Sequence, residues 1–240
     1  MDGFTYHNLF ETKGIEYLVV IAFLLLIIPF WMVINRPGKQ RLAARKISRA
    51  LSPGLLRIPA GLFYGPNHTW AFLEKSGTAM LGVDDLLMHI TGSVRPVINR
   101  VSGEMVKRGD VLGELVQDGK SLKISSPISG KIVAVNEMLG DDPGITGIDP
   151  YGEGWLLRVK PDDWVKETGS FYFAQQAVDW FSDEMSRIRD FLAEKATRMS
   201  PEPSLLVLQD GGEIADNILA ELPAGVWTDF EKKFLELPVE

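Results

Sequence analysis

The 240-residue sequence contains no cysteine. That absence excludes a disulfide framework, a thiolate zinc site, iron–sulfur ligation by thiolates and a cysteine nucleophile. It fits a reducing compartment. Histidine is scarce: His7, His68 and His89 are far apart, and their spacing suggests no metal site. There is no phosphate-binding loop, dinucleotide fingerprint or nucleophile–base constellation. Ser102 and Ser129 have no histidine that the sequence nominates as a base, and the acid pairs Asp141-Asp142 and Asp162-Asp163 sit among Gly and Pro as solvated turns. The expectation is a chain that is not an enzyme, with no catalytic residue, no metal site and no resident cofactor.

Acidic residues are missing from a long stretch. Between Arg36 and Leu73 there is no Asp or Glu, while Arg36, Lys39, Arg41, Arg45, Lys46, Arg49 and Arg57 supply seven positive charges. The whole chain is at −7, so the remainder carries −14. Directly before the basic stretch lies an uninterrupted apolar run, Tyr17 to Ile34. Eighteen residues at the helical rise span roughly 27 Å, close to the hydrocarbon thickness of a bilayer. A cleavable signal peptide is disfavoured: Asp2, Glu11 and Glu16 precede the run with only Lys13, and it exits into Asn35-Arg36-Pro37 without a small-x-small site. Pro29 should kink or end the helix, and Tyr17 and Trp31 are placed to mark the two interfaces. The charge asymmetry predicts a single-pass inner-membrane protein with its N-terminus outside and its main domain in the cytoplasm. Arg36, Lys39, Arg41, Arg45, Lys46 and Arg49 are then candidate contacts to anionic lipid. Leu42, Ala43, Ile47, Ala50 and Leu51 between them allow a short interfacial helix, or else the segment is a solvated linker. Nucleic acid is not an expected partner, because the basic residues are confined to this segment and the main domain is acidic.

From about Pro59 to Lys160 the pattern is one of short strands separated by turns. Candidate strands are Thr69–Leu73, Thr78–Leu81, Ser93–Ile98, Val111–Val116, Ser121–Ile124, Gly130–Val135 and Gly154–Val159. Asp118-Gly119 is a preferred pair for a two-residue type I′ hairpin. Asp84-Asp85-Leu86-Leu87 reads as a short helical turn opened by an N-terminal acid. Beyond Lys160 the period becomes helical: Ala174, Ala177, Phe181, Met185, Ile188 and Leu192 form one stripe, predicting a helix from Phe171 to about Arg198. A stop at Ser200-Pro201-Glu202-Pro203 follows, then a short strand at Leu205–Leu208, a turn at Asp210-Gly211-Gly212, a helix over Glu213–Leu222 and a last helix over Thr228–Leu237. Thr228 and Glu231 have the spacing of a capping box.

Five motifs then appear in order: Asn67-His68-Thr69-Trp70, Gly82-Val83-Asp84-Asp85, Gly109-Asp110-Val111-Leu112-Gly113, Ser126-Pro127-Ile128-Ser129-Gly130 and Asp149-Pro150-Tyr151-Gly152-Glu153-Gly154-Trp155-Leu156. Together they resemble the glycine cleavage system H protein, a lipoyl-carrying relative of the lipoyl and biotinyl carrier domains. The resemblance covers about Asn67 to Asp163. It implies a mainly β, flattened β-barrel sandwich of the lipoyl type, here placed after one N-terminal transmembrane helix and before an α-helical C-terminal extension. The expected organisation is 1–16 a short extracytoplasmic N-terminus, 17–35 the transmembrane helix, 36–58 a basic juxtamembrane linker, 59–165 the β-domain, 166–199 a long amphipathic helix and 200–240 a helical tail.

The resemblance also implies a lipoylated lysine on an exposed hairpin, eight residues before the proline of the P-x-S-G motif. Counting back from Pro127 reaches Gly119, which has no side chain to modify, and Lys120 is one residue on. A one-residue offset on a strand turns a side chain to the opposite face. Lys120 and Lys123 are therefore expected to be ordinary solvent-facing strand lysines. The functional expectation is a non-catalytic, membrane-anchored subunit or scaffold that holds cytoplasmic protein partners through the β-domain and the tail. The alternatives are a membrane-tethered lipoyl carrier modified at Lys120, shuttling an aminomethyl or acyl group, and an adaptor resembling membrane-fusion proteins.

Overall fold

A computed structural model describes residues 17–27, 50–199 and 214–237. The chain divides into two units, Met1–Ile47 and Ser48–Glu240. In the first, residues 17–27 form a helix, α1, whose side chains are exposed along its length. No helix among the described residues is long and apolar enough to cross a membrane. The second half of the apolar run with Pro29 and Trp31, the basic residues Arg36 to Arg49, and the stop, strand and turn expected between 200 and 212 lie outside the described residues.

The second unit is a β-domain of three sheets with helices on its flanks. Its strands are β1 (Ala50–Leu51), β2 (Phe63–Tyr64), β3 (Thr69–Leu73), β4 (Ala79–Val83), β5 (Arg95–Ile98), β6 (Met105–Val106), β7 (Val111–Gln117), β8 (Lys120–Ser125), β9 (Gly130–Val135), β10 (Leu157–Pro161), β11 (Tyr172–Phe173) and β12 (Ile214–Ala215). One seven-stranded sheet has the order β11-β2-β3-β4-β10-β9-β6, a second is β5-β7-β8, and β1 pairs with β12. All pairings are antiparallel. Alternation along the strands sends Leu81, Leu115, Leu122, Ile132, Leu157 and Val159 into a shared core, and an irregularity at the start of β7 turns Leu112 inward as well.

Two local rules account for the motif-rich stretches. The Trp70 indole N–H donates to the carbonyls of Val83 (3.0 Å) and Pro150 (3.1 Å), and its ring lies where a Cβ on Gly82 would come within 2.6 Å. Gly82 is thus required by the closeness of the tryptophan. In the loop before β10, the Asp149 carboxylate accepts from the amides of Gly152 (3.1 Å) and Glu153 (2.9 Å), which closes the turn that carries Tyr151 inward. The Tyr151 hydroxyl accepts from the Asp85 amide (3.0 Å). The acid expected at the start of the short helix is Asp84: it caps α2 (Asp85–Thr91) by accepting from the Leu87 amide at 2.8 Å.

The later helices differ from expectation in their bounds. After the short turns α3 (Met138–Asp141), α4 (Ile145–Ile148) and α5 (Trp164–Thr168), the long helix α6 begins at Gln175, not Phe171, and runs to Met199. Tyr172 and Phe173 are instead taken by the sheet, pairing with Tyr64 and Phe63, and Ala174 turns out of the strand at φ +50°. Residues 166–174, expected to be helical, therefore hold the end of α5 and β11. The predicted stripe holds from Ala177 onward: Ala177, Phe181, Met185, Ile188 and Leu192 are buried. The helix expected over Glu213–Leu222 is β12 followed by a 3₁₀ turn, Ile218–Glu221, because Leu51 and Ala50 pair with Ile214 and Ala215. The last helix, α7 (Ala224–Phe230), starts after Pro223 and passes into a π-helical turn, Glu231–Leu235. Thr228 lies inside α7, its hydroxyl donating back to the Ala224 carbonyl (3.3 Å), so the capping box does not form.

Candidate functional site

The hairpin β7–β8 is built as its sequence requires. Asp118 (φ +47°) and Gly119 (φ +76°) occupy the two positive-φ positions of a two-residue turn, and Gln117 faces Lys120 across it. Leu115 and Leu122 are opposite one another and fully buried, which pins the register. Nothing lies within 4 Å of where a Gly119 side chain would start, so the turn tip is open space.

Lys120 is not the solvent-facing lysine expected. Its ammonium donates to the carbonyls of Ala220 (2.6 Å) and Leu222 (3.2 Å) and stands 5.0 Å from the centre of the Trp227 ring. Two carbonyls and an aromatic face compose a cation socket. Lys123 does face solvent, but its amide donates to Glu231 Oε2 at 2.8 Å. The acid that pattern reading assigned to a helix cap therefore braces the outer edge of β8. The C-terminal segment is itself firmly seated: Leu219, Leu222, Val226, Trp227, Phe230, Phe234 and Leu235 are buried, and Phe230 and Phe234 pack against Phe191 of α6. Sequence reasoning missed this socket because its three parts follow the lysine by a hundred residues or more. The one signal for it was a tryptophan in an otherwise short, mixed tail.

Two clusters of charge surround the domain's helices. His68, wholly buried, places Nδ1 2.8 Å from Asp84 Oδ2 and Nε2 3.6 Å from Glu184 Oε1. Glu184 in turn receives Arg187 Nη1 at 2.5 Å. Burial alone would drive the His68 pKa down, but the charge and hydrogen bond of Asp84, with Glu184 behind them, raise it to about 9. The ring thereby stands between Glu184 of α6 and Asp84 at the mouth of β3 and β4. Glu184 itself is pushed up by burial and held below the usual carboxylate range by His68 and Arg187. In the second cluster Asp85 accepts from Arg57 (its amide at 2.9 Å, Nε at 3.1 Å and Nη2 at 2.5 Å), and His89 lies between Asp85 and Asp216. Arg57 also donates to the Ile148 carbonyl at 2.6 Å. Burial would raise the Asp85 carboxyl, yet the nearby His89 ring and the bonds from Arg57 hold it low. Among the described residues no group of three or more His, Asp or Glu side chains is placed to hold a metal ion.

Known proteins resemble this chain over the β-domain. The family model described as "Glycine cleavage H-protein" matches residues 62–184. The chain is 40% identical over 106 residues to the glycine cleavage system H protein of Psychrobacter cryohalolentis, covering 44% of this chain and 84% of that one. It is 30% identical over 127 residues to a probable glycine cleavage system H protein of Pyrococcus abyssi, covering 53% of this chain and 94% of that one. A solved glycine cleavage system H protein from Mycobacterium marinum aligns with a TM-score of 0.39 at 28% identity, over 47% of this chain and 97% of that one.

Proposed function

The chain belongs to the glycine cleavage H-protein family, whose members are carriers without catalytic activity of their own, and we propose that this one has exchanged the carrier role for that of a non-catalytic, membrane-anchored scaffold. The observation that carries the reading is the state of the hairpin. Where the resemblance puts the carrier lysine there is Gly119, and the adjacent amine, Lys120, is engaged by two carbonyls and the Trp227 ring. A lipoyl amide does not fit here: acylating Lys120 would discharge the ammonium that faces the Trp227 ring and leave a single N–H for two carbonyls. Forming that amide also needs a free amine, and the C-terminal segment engages the Lys120 amine beside the open tip. The exposed surface of the β-domain is left for protein partners.

Anchoring rests on the Tyr17–Ile34 run and the basic residues that follow it, with Arg36, Lys39, Arg41, Arg45, Lys46 and Arg49 at the anionic lipid surface and the β-domain in the cytoplasm. A reporter active only in the cytoplasm, fused after Glu240, checks the orientation: loss of its activity would favour the extracytoplasmic adaptor.

The attachment chemistry is tested with lipoate–protein ligase, lipoic acid and ATP, followed by intact and peptide mass. The native chain is expected to gain no lipoyl mass. Gly119→Lys puts an amine at the open tip and is expected to be modified. Its cost is about 1–2 kcal/mol for a side chain at positive φ, which a stable domain tolerates. Lipoyl on Lys120 of the native chain, purified from its own host or made in vitro, overturns the scaffold reading and restores a working carrier.

A further inference from the structure

His89 has a carboxylate at each ring nitrogen. Asp216 Oδ1 lies 2.8 Å from Nδ1, and Asp85 Oδ2 lies 3.6 Å from Nε2. Asp85 comes from the same helix, Asp216 from the C-terminal segment, and Arg57, bound to Asp85, from the segment that leads out of the basic stretch. The backbone repeats the connection: β1 pairs with β12, and the Asn217 amide donates to the His89 carbonyl at 2.7 Å. Asn217 takes φ +63° and lays its side chain against Gly92, where a Cβ would come within 2.6 Å. The turn at Asp216-Asn217 is also one wall of a cleft of about 650 Å³. Facing it are the hairpin tip at Gln117 and Asp118, Arg95 of β5, and the turn of Pro143 to Ile148.

We propose that the Asp216-Asn217 turn is a proton-fastened wall of this cleft, pinned by charged His89 and loosened when His89 is neutral. The groups around the ring set the sign. Asp85 and Asp216 touch it, Arg57 compensates only Asp85, and Arg95 and Asp118 stand across the cleft as a further cation and anion. The neighbouring Asp85 carboxylate is the largest influence and, with Asp216, outweighs burial, so the pKa rises from 6.5 to about 8. A raised histidine pKa gives stabilisation that is complete below about pH 6.5 and is lost as pH climbs through 8. The loosening is expected at residues 214–217 and not beyond, because the segment that follows is held by its buried apolar side chains, whereas β1 and β12 pair over only two residues each. This inference concerns the cleft and stands whether or not the scaffold reading does.

The test is amide hydrogen exchange on the full chain in mild detergent, corrected for intrinsic rate, at pH 6.5, 7.5 and 9. Protection of residues 214–217 is expected to fall severalfold between pH 6.5 and 9, and by less than the roughly fifteenfold that full release of His89 from 8 to 6.5 would give, because Asp85 stays beside the ring when Asp216 leaves. Asp216→Asn should abolish the step, and His89→Arg, which stays charged, should keep protection high at pH 9. Flat protection in the native chain overturns the proposal. So does a step that survives in Asp216→Asn, or one shared equally by α6, which would report His68 instead.

Discussion

Replacing Trp227 by Ala is the most informative single perturbation of the hairpin cover. The indole is 1% exposed, donates through Nε1 to the Leu219 carbonyl at 2.7 Å, and presents its face to the Lys120 ammonium. Truncating a buried tryptophan removes its transfer free energy and leaves a cavity, together about 3–5 kcal/mol. The lost hydrogen bond adds about 1 kcal/mol. A loss of about 4–6 kcal/mol is a large share of the 5–15 kcal/mol typical of a domain, and at roughly 2–4 °C per kcal/mol it lowers Tm by about 8–24 °C. Urea unfolding measures the stability. The consequence for Lys120 is read by mass spectrometry after brief treatment with an amine-acylating reagent, with solvent-facing Lys123 as internal reference. Lys120 should be acylated far more slowly than Lys123 in the native chain and at a comparable rate in Trp227→Ala. A stability loss under about 1 kcal/mol, or native Lys120 as reactive as Lys123, would refute the idea that the C-terminal segment sequesters this amine.

The buried His68 predicts an alkaline limit. Its pKa is raised to about 9 from 6.5, so its contribution is complete below about pH 6.5 and is lost as pH passes 9. Glu184→Ala should cost about 3 kcal/mol at pH 7 by breaking a buried ion pair, and should shift the alkaline loss to lower pH; urea titrations at pH 7 and 9.5 compare the two chains. Gly82→Ala forces a methyl against the Trp70 ring, itself held by two carbonyls, and should destabilise by about 3 kcal/mol in the same assay.

Much of the β-domain was legible in the chain because its determinants are local. Asp118-Gly119 dictates a positive-φ turn, alternation places Leu115 and Leu122 inward, and Asp84 stands where an N-cap is needed. Those are short-range steric and hydrogen-bonding demands, satisfied within a few residues wherever the chain goes next. The vacancy at Gly119 is equally a property of the sequence: a glycine has no amine in any fold. Tertiary structure decided the rest. The helix was expected to begin at Phe171, ahead of the stripe that starts at Ala174, but the open edge of β2 offered backbone partners and took Tyr172 and Phe173 as a strand. Thr228 and Glu231 had capping spacing, but Pro223 started the helix earlier and left Glu231 to bond the edge of β8. The fate of Lys120 belongs to the same class. Whether its ammonium meets water or the carbonyls of Ala220 and Leu222 depends on burying Trp227, Phe230 and Phe234 between α6 and the hairpin. That apolar packing is non-directional and sums over residues remote in sequence, so no local pattern around the lysine could announce it.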